Sequence, residues 1–129
     1  MGGDAILESL EDHLGLGAGE TTADGRVTLE HIECNAACDF APVMMVNWEF
    51  FDNMDPEKTD ELIERLLNDE EVVSTRGAVL TSWKGAERVL AGFPDGRADE
   101  GPSAGDASLL GRRIAADNNW TAPAAEEAK

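Results

Sequence analysis

The chain has 129 residues, 42% apolar and 29% charged, enough for one domain with a modest core and little room for a second. Asp+Glu 27 against Lys+Arg 10 gives a formal net charge of -17, a field that repels phosphate backbones and anionic headgroups and so argues against nucleic acid as a partner. No apolar run approaches the ~20 residues that cross a bilayer, and no basic segment followed by an apolar one opens the chain, so the expectation is a soluble cytoplasmic protein without direct membrane insertion.

From Asp4 onward Ile6, Leu7, Leu10 and Leu14 recur at helical spacing with Glu8, Glu11, Asp12 and His13 opposite them, which predicts a short amphipathic helix ended by Gly15 and Gly17. Met1-Gly2-Gly3 offers it no capping side chain, so it reads as a helix cut near its beginning. His13 is expected on the solvated face. A polar turn, residues 17–25, leads to Arg26–Cys34, where Val27, Leu29 and Ile32 carry strand signals. The phase breaks between Leu29 and Ile32, which predicts a bulge or a single helical turn at Thr28–His31.

The stretch Glu33-Cys34-Asn35-Ala36-Ala37-Cys38-Asp39-Phe40-Ala41-Pro42 holds both cysteines and is expected as a loop between two strands. Two thiolates four positions apart can bind one metal atom, but a tetrahedral site needs four donors. His31 is the one other donor nearby and is expected to be exposed rather than a ligand. On the residues alone a metal or cluster ligand, a redox-active dithiol and incidental thiols all stay open. Disulfide-exchanging enzymes usually place Cys-x2-Cys at a helix N-terminus, where the dipole lowers a thiol pKa, whereas this pair is spaced by three residues after strand-like sequence. The chain shows no Ser-His-Asp arrangement, no glycine-rich phosphate loop and no carboxylate pair with a reason to titrate abnormally, so no residue is assigned a catalytic role.

Beyond Pro42, Val43–Asn47 reads as a strand covered on both faces, with Trp48–Asp52 returning as its hairpin partner across a turn at Asn47-Trp48. Asp55-Pro56-Glu57 is a strong helix start, and Leu62, Ile63, Leu66 and Leu67 give that helix a buried stripe to about Asn68. Val72–Leu80 is expected to be extended, and Ser82 to cap a short helix stopped by Gly92. Phe93–Gly105 reads as a connector, Leu109, Leu110 and Ile114 as a last short helix, and Ala122–Lys129 as a low-complexity tail. Trp83, Phe93 and Trp120 imply an extension that either wraps its own domain or lies on a partner surface, and the shortage of local apolar residues to bury them favours the partner.

The expected order of helix, strand, cysteine loop, strand, strand and helix is that of a thioredoxin-like domain after its first strand. Glu33-Cys34, Ala37-Cys38, Ala41-Pro42, Met45-Val46-Asn47 and Pro56-Glu57 through Glu61-Leu62 resemble the thioredoxin-like [2Fe-2S] subunit of NADH:quinone oxidoreductase, the 24 kDa type of respiratory complex I. The resemblance covers residues 2–68, and the later Pro-Asp-Gly-Arg and Asp-Glu-Gly-Pro-Ser-Ala-Gly runs look like the extension of actinobacterial members. It implies a thioredoxin-like α/β fold of the [2Fe-2S] ferredoxin type lacking its first strand, with residues 1–70 a partial cluster domain and 71–129 a mostly irregular or helical extension, partner-docking or flexible. The family holds its cluster with a Cys-x4-Cys pair and a later Cys-x3-Cys pair, and Cys34 and Cys38 match the later one. Gly2-Gly3-Asp4 corresponds to the stretch just after the earlier pair, so half of the ligand set for a [2Fe-2S] cluster is expected here. The implied function is one-electron transfer from the flavin of an adjacent NADH-binding subunit, peripheral on the cytoplasmic side of the membrane. A binding or scaffold module with free thiols is the competing reading.

Overall fold

The computed structural model describes residues 2–98, 100 and 106–121; the expected tail Ala122–Lys129 and part of the connector 93–105 lie outside the described residues. Its first helix, α1 (Gly3–Leu14), has Gly2 at its N-cap with φ 92 and no side-chain cap, as its sequence implies, and Gly15 at φ 65 closes it. Its inward face is apolar, with Ile6 and Leu10 buried. Two short antiparallel strands follow, β1 (Met44–Val46) and β2 (Glu49–Phe51), in register Met44 with Phe51 and Val46 with Glu49. Helix α2 (Pro56–Leu67) starts as expected, the Asp55 carboxylate accepting from the Lys58 N–H at 2.9 Å with Pro56 in the first turn. Helix α3 (Trp83–Leu90) is capped by Ser82, whose hydroxyl accepts from the Gly85 N–H, and α4 (Asp106–Asp117) forms around Leu109, Leu110 and Ile114.

α1 packs on α2, and the core between them is Ile6, Leu10, Leu62 and Ile63, joined by Leu29, Phe51, Met54 and Val72. Each of these side chains contributes about 1.5–3 kcal/mol through the apolar area it removes from water. His13 is exposed on α1, as expected, and reaches toward α2. Its Nδ1 lies 3.3 Å from Asp60 Oδ1 and its Nε2 3.0 Å from Glu64 Oε1, so it spans the two helices, beside Ser9, whose hydroxyl donates to Asp60 at 3.0 Å.

Two strand expectations are corrected. Arg26–Cys34 forms no strand: the single bridge Thr21–Thr28 and the bond from the Leu29 N–H to Glu20 O end the pairing, and residues 30–33 run on without a ladder. Leu29 reaches the core at 7% exposure while Ile32 is left 51% exposed, so the broken phase marks the end of pairing rather than a bulge within it. Val43–Asn47 is not covered on both faces either. Its residues Met44–Val46 are all half-buried, in a described sheet of only two strands. Val72–Leu80 is not extended throughout but folds back as a tight turn: Val73 bridges Val79, the Leu80 N–H donates to Val72 O, and the tip returns to β2 through Thr75, whose hydroxyl and N–H both donate to Phe50 O.

Candidate functional site

Cys34 and Cys38 lie on one loop, both free and both exposed. The loop is shaped by its backbone. Ala36 sits at φ 51, a conformation that an L-residue adopts at a cost of order 1–3 kcal/mol, and this turns its N–H back onto Cys34 Sγ at 3.4 Å. Sulfur is a weak hydrogen-bond acceptor, and the Ala36 amide gives this one a main-chain donor. Cys38 begins a one-turn 3-10 helix, Cys38–Phe40, and the chain then passes through a cis Ala41–Pro42 bond into β1. Backbone bonds fasten that second half to the hairpin's exit, the Asn53 N–H donating to Phe40 O at 2.8 Å and the Met54 N–H to Pro42 O at 2.9 Å. Pro42 also meets the start of α1, since a Cβ at Gly2 would lie 3.4 Å from its Cγ.

His31 is exposed, and among the described residues no group of three or more His, Cys, Asp or Glu side chains is placed to hold a metal ion. The loop itself offers two thiols, the number that one iron of an all-cysteine two-iron cluster takes, and the sequence has two cysteines in all. A groove of about 290 Å³ lies elsewhere: Thr81, Arg88, Val89, Phe93 and Arg97 line it, and none of them belongs to the cysteine loop. Sequence reasoning locates both thiols but not the Ala36 amide that faces one of them, a backbone feature that no residue type announces. It also gives no hint that Arg76, outside the expected cluster domain, stacks over the Phe50 ring at 3.8 Å and reaches the Phe40 ring at 5.8 Å.

The family model described as thioredoxin-like [2Fe-2S] ferredoxin matches residues 1–67. The chain belongs to this family. The thioredoxin-like α/β fold class expected from the sequence is thereby borne out, here with four helices and a small sheet among the described residues. The E subunit of the NADH-quinone oxidoreductase of Mycobacterium tuberculosis is 55% identical over 124 residues, 95% of this chain and 49% of that protein. The E 2 subunit of the NADH-quinone oxidoreductase of Rhizobium meliloti is 43% identical over 77 residues, 60% of this chain and 46% of that protein. The mitochondrial NADH dehydrogenase [ubiquinone] flavoprotein 2 of Dictyostelium discoideum is 36% identical over 67 residues, 52% of this chain and 27% of that protein. The chain spans about half the length of the mycobacterial relative, and likeness to it continues through the extension beyond residue 67, where the family model stops.

Proposed function

We propose that this chain is part of an iron-sulfur electron-transfer subunit of NADH:quinone oxidoreductase, with Cys34 and Cys38 as two thiolate ligands of a [2Fe-2S] cluster. The observation that carries the reading is the pair of free, exposed thiols on one loop, with the Ala36 N–H donating to Cys34 Sγ at 3.4 Å, in a chain of the [2Fe-2S] family. When bound there, the cluster supplies a one-electron acceptor and donor, whose potential depends on its ligands, nearby amide donors and solvent exposure. The chain's own residues bind and orient: both thiolates take iron, the Ala36 amide offsets thiolate charge, and the turn Cys38–Phe40 is tied by Asn53 and Met54 to the hairpin. An electron carrier of this kind would need no acid, base or nucleophile from the chain, whose residues would serve to hold the group.

The partner in this reading is the flavin- and NADH-binding subunit of the same complex, and the place is peripheral, on the cytoplasmic side of the membrane. No described helix is long and apolar enough to cross a membrane, which agrees with a peripheral position. Residues 1–70 act as the cluster domain and 71–129 as the docking extension, in which Phe93 and Trp120 are 59% and 67% exposed.

Anaerobic reconstitution with Fe2+ and sulfide, read by visible absorption and EPR, tests the ligand assignment. The 129-residue chain is expected to take up iron weakly and in substoichiometric amount, and Cys34→Ser or Cys38→Ser to abolish that uptake. Uptake unaffected by either substitution would leave the free-thiol scaffold as the better description. Pull-down with the flavin-binding partner, with and without residues 71–129, tests the extension: unchanged capture after deletion would remove its docking role.

A further inference from the structure

Arg76 sits at the tip of the turn that follows the family-matched span, yet it is among the most firmly held cations described. Its Nε and Nη2 donate to Asp52 Oδ2 and Oδ1 at 3.0 and 2.9 Å, and the two side chains are only 17% and 11% exposed. The paired fork is the geometry in which Arg and carboxylate are both oriented as well as attracted. The Asp52 carboxylate raises the guanidinium's proton affinity above its usual value, against the opposing effect of burial, so the cation is permanent. Thr75 reinforces the placement, its hydroxyl donating to Phe50 O at 3.0 Å and accepting from the Asp52 N–H at 2.9 Å.

This locked cation faces two rings. It stacks on Phe50 of β2 at 3.8 Å and reaches the ring of Phe40 at 5.8 Å, inside the range in which a guanidinium is attracted to an aromatic face. Phe40 is the last residue of the turn that Cys38 begins. Main-chain bonds from Asn53 to Phe40 O and from Met54 to Pro42 O hold the backbone of this stretch, whereas the Arg76 contact acts on the Phe40 ring.

We infer that Arg76 is a positioning residue for the Cys38 thiol: clamped by Asp52, it holds the Phe40 ring and with it the Cys38–Phe40 turn against the hairpin, so that a residue of the extension sets the geometry of one cysteine of the loop. The inference rests on the ligand reading of Cys34 and Cys38 for its purpose, but its geometry stands without iron. Cys34 lies outside the clamped turn and serves as the internal reference.

Alkylation of the metal-free, reduced full chain with iodoacetamide, resolved by mass spectrometry into separate rates for Cys34 and Cys38, is the test. Arg76→Met is expected to raise the Cys38 to Cys34 rate ratio about threefold, the size of change that loss of one partly exposed cation-π contact produces. Phe40→Leu, which leaves the Arg76–Asp52 pair and the hairpin intact, is expected to raise the ratio similarly. Arg76→Lys, which keeps a cation over the rings without the fork, should fall between wild type and Arg76→Met. A ratio unchanged in Phe40→Leu and Arg76→Met, or both thiols accelerating equally as in a general loosening, would overturn the inference. Because no iron is present, this outcome is separate from the reconstitution result: loss of iron uptake in the cysteine variants bears on the ligands, and the rate ratio bears on Arg76.

Discussion

Trp48 occupies a conformation that its own chemistry opposes. The two central residues of the β1–β2 turn, Asn47 and Trp48, have φ of 48 and 75, which matches the twist of a two-residue hairpin but suits Asn far better than a bulky ring. What offsets the strain is contact with α3: the Trp48 and Trp83 rings stack with centroids 5.7 Å apart, and the Asn47 amide donates to Thr81 O at 2.8 Å. A stacked aromatic pair contributes about 0.5–1.5 kcal/mol beyond its area. Trp48→Gly should therefore be less destabilising in a Trp83→Ala background than in wild type, with a coupling of about 1 kcal/mol in a double-mutant cycle of urea midpoints. Additive effects would mean that the stack stabilises nothing. Asp55 gives a second prediction at this scale. The side-chain and then the main-chain bonds to Lys58 hold its carboxyl below its ordinary value of 3.8. A depressed folded value means that the contribution is present above 3.8 and is lost as pH falls through the folded value. Asp55→Asn keeps an acceptor but cannot titrate, so its thermal midpoint should fall less steeply than that of wild type as pH drops below about 4. Parallel acid limbs would contradict this.

At the scale of elements, what is legible in the sequence is what carries its own local signal. α2 is readable to within a residue because Asp55 and Pro56 fix its start and the Leu62-Ile63-Leu66-Leu67 stripe fixes its face. The β1–β2 hairpin is readable from two apolar runs around Asn47. Arg26–Cys34 is not, because a strand exists only where a neighbour accepts its N–H groups, and after Leu29 none does. Of the site, the two thiols are visible, while the Ala36 amide and the Arg76–Phe40 contact depend on backbone turns and on a fold-back from far along the chain, beyond the reach of local pattern. The same view assigns the stability of the domain to the α1–α2 seam rather than to the small sheet. Leu62, 5% exposed between the helices, should cost about 3 kcal/mol on replacement by Ala, through lost burial and the cavity left behind. Met44→Ala on half-buried β1 should cost clearly less, and urea titration of both compares the seam with the sheet. Equal losses would place the sheet on the same footing as the seam.

For the whole molecule the dominant fact is the formal net charge of -17 on 129 residues. The described ion pairs lie mostly at the surface, such as Arg26–Asp69 with side chains 39% and 84% exposed, and exposed pairs are worth about 0–1 kcal/mol each. The Arg76–Asp52 pair is the most sheltered of them and the least open to screening. Against these stands the mutual repulsion of a large acidic excess, which acts across a molecule of about 14 Å radius of gyration. At 0.01 M ionic strength the screening length is about 30 Å, so every carboxylate feels most of the others, and at 0.1 M it shrinks to about 10 Å. Close pairs of opposite charge keep much of their attraction over that change while distant repulsion is largely removed. The thermal midpoint is therefore expected to rise between about 0.01 and 0.2 M NaCl, and a neutralised variant with four exposed carboxylates changed to amides should rise less. A midpoint that stays flat or falls would mean that the surface pairs outweigh the excess, and that the acidity of the chain is already compensated within its own fold.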